Sequence, residues 1–327
     1  MSAPAGDGAR AQPPRAPEFF VVGHAKSGTT ALHEMLRRHP QIFLPEAKEP
    51  WYLARELHDR PPPRPEGLAA DDEEYLALFA RAGAGQRIGE VSPLYLWSRT
   101  AAGAIARISP QARVVAILRE PASFLRSLHM QFVESYVETE GDFAKALALE
   151  DARREGREIP PYTYWPRTLL YSEHVRYVEQ LRRFHELLGR ERVLVLIYED
   201  FRRDNEATLR AVMRFLEVDD TVAVQSVTAN PTVAVRSQRL HELVHAVSVG
   251  RGPVSLAVKR ALKRVTPTGA RRRALHATQR NVLFTEPAAP DERLMLELRR
   301  RFAPEVAAAS EYLGRDLVGL WGYDRLA

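Results

Sequence analysis

The chain has 327 residues, of which 45% are hydrophobic and 27% are charged, and both proportions are ordinary for a globular protein. Its net charge of +5 is compatible with an anionic ligand but is small for a protein whose main function is to bind nucleic acid. Because the chain has no cysteine, a disulfide scaffold, a thiolate metal site and a cysteine nucleophile are all excluded.

The first 17 residues are rich in Ala, Pro and Gly, and they predict a disordered leader at residues 1–17. This segment lacks the apolar centre of a secretory signal. No apolar run of the chain approaches the roughly 20 residues that cross a bilayer. We therefore expect a soluble, cytoplasmic protein without an integral membrane segment.

The first regular element follows the leader. The apolar run Phe19–Val22 ends at Gly23, which is typical of a buried strand. A helical pattern then covers residues 29–39, and Pro40 ends it. A strand, a glycine-containing loop and a helix in this order are the opening unit of a doubly wound sheet.

Two later apolar runs, Val114–Leu118 and Val193–Ile197, predict further buried parallel strands. One helical pattern between and after them is marked by Leu170, Val178, Leu181, Phe184 and Leu188, and another by Leu209, Val212, Met213 and Leu216. Residues 60–71 predict a proline-rich surface loop. The sequence thus predicts an α/β fold, in which residues 18–327 form a single domain with a P-loop-like, doubly wound parallel sheet flanked by helices.

The segment 236–280 is basic and contains a helical alternation of apolar and cationic residues at 254–265. Three interpretations stay open for it. It is a solvated basic face over a core stripe, a helix that lies on a membrane surface, or a source of arginines for a ligand phosphate.

The segment Gly23–Thr30, with the sequence GHAKSGTT, joins the first predicted strand to the first predicted helix. Backbone N–H groups in such a loop, with the positive end of the helix dipole, bind anions. The alternative is an ordinary strand-to-helix turn capped by Ser27 or Thr29. Two glycines, a lysine and three hydroxyls in this context favour a phosphate-binding loop.

The lysine of this loop is not where nucleotide triphosphatases keep it. Their pattern G-x-x-x-x-G-K-[ST] has lysine after the second glycine, where this chain has Thr29. The arrangement K-S-G-T-T after an apolar strand instead resembles the 5′-phosphosulfate loop of the sulfotransferases that use 3′-phosphoadenosine-5′-phosphosulfate (PAPS). The resemblance implies a set of cofactor-binding residues, Lys26, Ser27, Gly28, Thr29 and Thr30.

A second motif follows the strand Val114–Leu118. Arg119 stands at the end of this strand, and Ser127 follows eight residues later on a predicted helix. A guanidinium and a hydroxyl placed in this way can converge on one phosphate. The alternative is that Arg119 pairs with an acid near the strand end. The pattern R-x-P…S resembles the part of the sulfotransferases that binds the 3′-phosphate of PAPS.

The resemblance continues along most of the chain. It includes the stretches KEPWY (48–52), GEVSP (89–93), LYSEH (170–174), VLIYED (195–200) and GRDL (314–317), and Trp321. In the family the tyrosine of the third stretch lies against the adenine, which implies this role for Tyr171. The stretches at 48–52 and 89–93 resemble those of bacterial and glycan-type members.

The resemblance implies a PAPS-dependent sulfotransferase that sulfates a hydroxyl or amine of a small-molecule, lipid or carbohydrate acceptor and releases 3′-phosphoadenosine-5′-phosphate (PAP). It makes Lys26 catalytic at the departing phosphate, and Glu49 the base that takes the acceptor's proton. Small-molecule members have a histidine, and glycan-type members often a lysine, where this chain has Val91. Glu90 is the second candidate for the base. No metal is expected, because a sulfuryl group carries less negative charge than a phosphoryl group.

Two other functions compete with this interpretation. In a magnesium-dependent P-loop phosphotransferase, Glu199 and Asp200 would follow a metal-binding strand, but Thr29 stands where its lysine is needed. A non-enzymatic basic module for anions or RNA would use the arginines of segment 236–280 and leaves the phosphate loop unexplained. The identity of the acceptor and the oligomeric state are not readable from the sequence.

Overall fold

The computed structural model describes residues 15–46, 48–57, 69–161, 163, 165–223 and 287–326, and the strands at 234–235 and 284–285. Three predictions fall wholly or mostly outside the described residues: the leader, the loop at 60–71 and the basic segment 236–280. The chain divides into two compact units. The first is Met1–Arg119 with Tyr177–Ala229, and the second is Glu120–Arg176 with Asn230–Ala327. The single domain of residues 18–327 stays a prediction.

A parallel five-stranded sheet forms the centre of the first unit. Its strands are β1 (Phe19–Gly23), β2 (Ile42–Phe43), β3 (Arg87–Val91), β4 (Arg113–Leu118) and β5 (Val193–Ile197). They lie in the order β2-β3-β1-β4-β5, and every pairing is parallel. The chain adds strands on one side of β1 and then on the other, so the strand order reverses at β1. In such sheets ligands bind at the carboxyl ends of the strands beside this reversal.

The helices, in chain order, are α1 (Thr29–Leu36), α2 (Asp72–Ala77), α3 (Ala101–Ile108), α4 (Pro121–Glu134), α5 (Phe143–Ala148), α6 (Glu150–Arg154), α7 (Tyr177–Leu188), α8 (Tyr198–Arg203), α9 (Asn205–Phe215), α10 (Glu292–Leu313) and α11 (Leu317–Trp321). Across the described residues, no helix has both the length and the apolarity needed to cross a membrane.

The core of the first unit surrounds the sheet. Every residue of β1 is buried, as expected for a strand covered on both faces. On one face, Val21 and Ile117 of the sheet pack in one cluster with Leu32 and Met35 of α1 and with Val212 of α9. The predicted α/β class and the doubly wound parallel sheet flanked by helices are confirmed. The sheet fixes the loop after β1 and the residue after β4 at the same edge.

The second unit contains α4, α5, α6, α10, α11 and the two-stranded antiparallel ladder of β6 (Ala234–Val235) and β7 (Phe284–Thr285). Glu120 caps α4 by accepting bonds from the backbone N–H groups of Ala122 and Ser123 at 3.0 and 2.7 Å. The Tyr323 hydroxyl donates to the same carboxylate at 2.6 Å. The C-terminal part of the chain is thereby tied to the start of α4.

One predicted helix starts later than its apolar pattern suggests. Leu170 was included in it, but residues 171–175 form a 3₁₀ turn and α7 begins at Tyr177. The backbone N–H and the hydroxyl of Ser172 donate to the Glu150 carboxylate at 2.7 and 2.6 Å. Because these side-chain bonds replace bonds within a helix, the regular α-helix begins only after them.

Candidate functional site

The loop between β1 and α1 has a backbone that only particular residues accept. Gly23 has a φ of +140°, and a Cβ there would lie 2.4 Å from the carbonyl oxygen of Ile117. Gly28 has a φ of +83°, and a Cβ there would lie 2.7 Å from the Phe201 ring. Lys26 also has a positive φ, of 62°, although it has a side chain. Such strain in a non-glycine residue is characteristic of functional loops, where the surrounding structure enforces it.

The geometry of the loop fits a bound anion. Ser27 is completely buried, and within the described part of the chain its hydroxyl has no hydrogen-bond partner. A buried hydroxyl without a partner is costly, and an anionic ligand would supply the missing acceptor. Thr29 and Thr30 begin α1, whose first turn contains no acidic residue, so the positive end of the helix dipole is not neutralised there. The residues present therefore fit the phosphate that the sequence predicts.

Arg119 is held against this loop. It directly follows β4, and its Nη1 donates to the carbonyl oxygen of Lys26 at 2.7 Å. Its guanidinium lies over the Tyr198 ring, 4.7 Å from the centroid. The Tyr177 hydroxyl donates to the Arg119 carbonyl at 2.7 Å, and the Arg119 N–H donates to Nδ1 of His24 at 3.3 Å. The structure thus brings Arg119 and the predicted phosphate loop together.

Glu49 reaches the same region through Lys48. The backbone N–H of Glu49 donates to the Val91 carbonyl at 3.1 Å, which fixes the KEPWY stretch at the carboxyl end of β3. The Lys48 Nζ lies 2.6 Å from Oε1 of Glu49 and 3.0 Å from the hydroxyl of Thr30. Glu49 has a φ of 62°, a strained conformation for a residue with a side chain. The predicted base is therefore connected to the predicted phosphate loop by one side chain.

Glu90, the second candidate for the base, lies in a different environment. Its side chain is fully buried. The hydroxyls of Tyr75 and Ser92 donate to its two oxygens, that of Ser92 at 2.6 Å. Burial raises the pKa of Glu90 to about 7, and the bonds from these hydroxyls offset only part of that effect. A carboxylate enclosed in this way supports the sheet and has no surface open to an acceptor.

The remaining predicted ligands, Ser127 and Tyr171, belong to the second unit. Ser127 is buried on α4. Tyr171 is fully buried, and its hydroxyl donates to Glu138 at 3.0 Å. Glu138 is also the partner of Arg153, at 2.7 and 2.8 Å, in a buried ion pair. The contacts of Ser127 with the 3′-phosphate and of Tyr171 with the adenine stay predictions.

Sequence reasoning missed several side chains that organise the site. Arg119 is held by Tyr177, Tyr198 and His24, and the sequence motifs assign none of these three a role. His24 lies inside the predicted loop, so its position was a usable signal. The contact between Lys48 and Thr30 joins residues 18 positions apart in the chain, and no motif indicated it.

Comparison with known proteins decides the family. A family model described as "Sulfotransferase family" matches residues 17–221, which contain β1, the loop after it and Arg119. The chain belongs to this family. The predicted membership is therefore confirmed, and the match covers well over half of the chain.

Individual relatives show how distant the sulfotransferase likeness is. Carbohydrate sulfotransferase 15 of Mus musculus is 24% identical over an alignment of 277 positions, and the match covers 68% of this chain and 47% of that protein. Heparan sulfate glucosamine 3-O-sulfotransferase 3B1 of Mus musculus is 32% identical over 107 residues, 33% of this chain and 24% of that protein. The chain thus spans about half or less of the length of these relatives.

The solved structure of a sulfotransferase from Alicyclobacillus acidocaldarius has the same fold. It superimposes with a TM-score of 0.64 at 24% sequence identity, and the match covers 94% of this chain and 98% of that one. At this identity the likeness supports the sulfotransferase fold and leaves the acceptor open.

Proposed function

We propose that this protein transfers a sulfuryl group from PAPS to a hydroxyl or amine of a small-molecule, lipid or carbohydrate acceptor and releases PAP. The observation that carries the proposal is the phosphate loop. It combines a buried Ser27 hydroxyl that no described residue satisfies, the uncompensated start of α1, and an arginine held against the loop. Membership of the sulfotransferase family supports the same reaction class.

The predicted cofactor ligands would each bind a different part of PAPS. Ser27, Gly28, Thr29 and Thr30 would hold the 5′-phosphate with their N–H and O–H groups, as the start of a helix favours. Arg119 would hold the 3′-phosphate with a planar fork of donors, together with Ser127. Tyr171 would contact the adenine. Bound PAPS supplies the sulfuryl group and a phosphate leaving group.

Lys26 is proposed as the catalytic cation. In the proposed transfer, the acceptor oxygen or nitrogen would form a bond to sulfur while the bond between sulfur and the bridging phosphate oxygen would break. The electron pair of the broken bond stays on that oxygen, so negative charge develops there. An ammonium held beside this oxygen stabilises the transition state more than the ground state. The strained backbone of Lys26 supports such fixed placement.

Glu49 is proposed as the base that accepts the acceptor's proton. The side chain of Glu49 is 29% exposed, whereas Glu90 is fully buried and accepts bonds from two hydroxyls. A general base needs direct access to the proton that it removes, and of these two carboxylates only Glu49 is exposed at all. The environments of Glu49 and Glu90 therefore favour Glu49 as the base.

Label transfer tests the proposal. The intact chain is incubated with PAPS labelled at sulfur and a panel of phenols, amines, lipids and sugars, with and without EDTA. We expect labelled product and stoichiometric PAP, with turnover unchanged by EDTA. A strict magnesium requirement, or transfer of phosphate from ATP to the same panel, would overturn the proposal in favour of a phosphotransferase.

A further inference from the structure

Lys48 contacts both the predicted phosphate loop and the predicted base. Its ammonium is 3.0 Å from the hydroxyl oxygen of Thr30, the second residue of α1, and 2.6 Å from Oε1 of Glu49. The lysine side chain is only 18% exposed, so it is packed in place. Neither the family match nor any motif gives this lysine a role.

The direction of these hydrogen bonds follows from chemistry. A lysine ammonium can only donate, so the Thr30 hydroxyl oxygen must act as the acceptor. A hydroxyl that accepts at its oxygen keeps its own proton to donate. Lys48 therefore leaves the Thr30 proton available for another acceptor, and an anion in the phosphate loop is such an acceptor.

The same ammonium orients the Glu49 carboxylate. Oε1 accepts from Lys48, and among the described residues no other side chain donates to this carboxylate. Oε2 therefore stays available to accept a proton. The Glu49 N–H is bonded to Val91 at 3.1 Å, and the positive φ values of Glu49 and Trp51 show that this segment is held in a specific conformation.

We propose that Lys48 is a positioning residue that aligns the Thr30 hydroxyl with the 5′-phosphate of the cofactor and the Glu49 carboxylate with the acceptor. The proposal rests on the proposed function. It makes one ammonium set the relative position of the phosphate-binding loop and the base. Lys48 acts through Thr30 and Glu49, and the contact with the phosphate is made by Thr30.

The deciding experiment compares two nucleotides that differ at the 5′ position. Calorimetry measures the binding of PAP and of adenosine 3′-monophosphate, which lacks the 5′-phosphate, to the wild type and to Lys48→Met. Loss of one well-oriented hydrogen bond should weaken PAP binding roughly 3- to 10-fold. The affinity for adenosine 3′-monophosphate should not change, and this unchanged affinity also shows that the variant is folded.

A double-mutant cycle separates positioning from direct contact. Thr30→Val removes the hydroxyl through which Lys48 is proposed to act, so Lys48→Met should cost no further PAP affinity in the Thr30→Val background. The acceptor found by label transfer also allows kcat to be measured at saturating PAPS. Lys48→Met should lower kcat more than Thr30→Val does, because only Lys48→Met also releases Glu49.

Lys145→Met is the matched control. Lys145 also lies beside a carboxylate, that of Asp142 at 3.9 Å, but it is on α5 and its side chain is 72% exposed. This change should leave both affinities and kcat at the wild-type values.

Three outcomes would overturn the inference while leaving the proposed function intact. They are normal PAP binding by Lys48→Met, equal losses for both nucleotides, and a full loss that persists in the Thr30→Val background. The last result would mean that Lys48 contacts the phosphate itself. A wild-type chain that does not bind PAP would instead overturn the proposed function, and the inference with it.

Discussion

At the residue scale, two glutamates that are candidates for the base lie in surroundings that suit different roles. Glu49 is partly exposed and paired with Lys48, whereas Glu90 is enclosed by the Tyr75 and Ser92 hydroxyls. A reactive carboxylate needs access to its substrate, and a structural carboxylate needs enough hydrogen bonds to compensate its burial. The two can therefore be separated by different measurements, turnover for Glu49 and stability for Glu90.

Replacement of Glu49 by Gln should lower turnover by a factor of about 100 to 10,000, the usual contribution of a general base. Gln keeps the shape of the side chain and removes the proton acceptor, so PAP affinity should stay nearly unchanged. Steady-state kinetics at saturating PAPS, with calorimetry for PAP, measures both quantities. An active Glu49→Gln with an inactive but stable Glu90→Gln would contradict the assignment and move the base to Glu90.

Glu90 should make folding stability depend on pH. Its pKa is about 7 in the folded protein against an ordinary value of 4.5, so the folded state holds this proton more tightly than the unfolded state. Stability should therefore fall as pH rises from about 4.5 to about 7 and then level off, by roughly 3 kcal/mol at most. Glu90→Gln cannot ionise and should lose this dependence. Urea unfolding of both proteins from pH 5 to pH 8 measures it, and parallel curves would contradict the account.

Arg119→Ala should weaken PAP binding by roughly 10- to 150-fold, because a charge-assisted hydrogen bond to phosphate contributes about 1.5–3 kcal/mol. Arg113 is the matched control, since it begins the strand that Arg119 follows and its guanidinium also faces a ring, that of Phe215 at 5.7 Å. Its partner is Glu217, so Arg113→Ala should bind PAP normally. Calorimetry compares the two variants, and equal affinities would remove Arg119 from the cofactor site.

At the scale of elements, the site depends on the carboxyl ends of β1, β3 and β4. The loop after β1, the backbone anchor of Glu49 on β3 and Arg119 after β4 all lie at this edge. Two side chains of α8 also contact this region. Tyr198 faces Arg119, and Phe201 packs against Gly28. The positions of the proposed catalytic groups therefore depend on the sheet as well as on the loop.

Gly28→Ala should damage both stability and PAP binding. A residue with a side chain in the left-handed region costs about 1–2 kcal/mol, and its Cβ would clash with the Phe201 ring. We expect stability to fall by about 2 kcal/mol and PAP affinity by about 10-fold or more. Gly103→Ala is the control, because Gly103 lies inside α3 and a Cβ there would meet nothing within 4 Å. This change should stabilise the protein by about 0.5–1 kcal/mol. Thermal unfolding and calorimetry test both variants, and a Gly28→Ala that behaves like the control would contradict the account.

Much of this edge was predictable from the sequence. All of β1 and nearly all of β4 are buried, and β5 is at least partly buried along its length, so these strands appear as continuous apolar runs. The predicted phosphate loop follows the first of them. The structure confirms these strands to within one residue. The start of α7 was predicted wrongly because Glu150, distant in the chain, takes the hydrogen bonds of Ser172. The same limit hid the Lys48–Thr30 contact, since a pattern along the chain does not show bonds between separate elements.

At the scale of the whole molecule, the predicted cofactor ligands divide between two compact units. The first contains the phosphate loop, Glu49 and Arg119, and it falls largely within the region that the sulfotransferase family model matches. The second contains Ser127, which is buried on α4, and Tyr171, whose hydroxyl donates to Glu138 of the same unit. The first unit thus carries Lys26 and Glu49, the ligands proposed for the 5′-phosphate, and Arg119, which is proposed for the 3′-phosphate. Nucleotide choice is therefore the central test.

The most direct test is calorimetric titration of the intact chain with PAP and with ATP, each once in EDTA and once in magnesium. ATP lacks the 3′-phosphate that Arg119 is proposed to bind. A P-loop that binds ATP would also need a lysine at the position of Thr29. We predict that PAP binds at least about 10-fold more tightly than ATP and, because a ligand of the folded state stabilises it, raises the melting temperature more. Equal affinities for the two nucleotides, or tight ATP binding that appears only with magnesium, would contradict the central claim that this is a PAPS-dependent sulfotransferase.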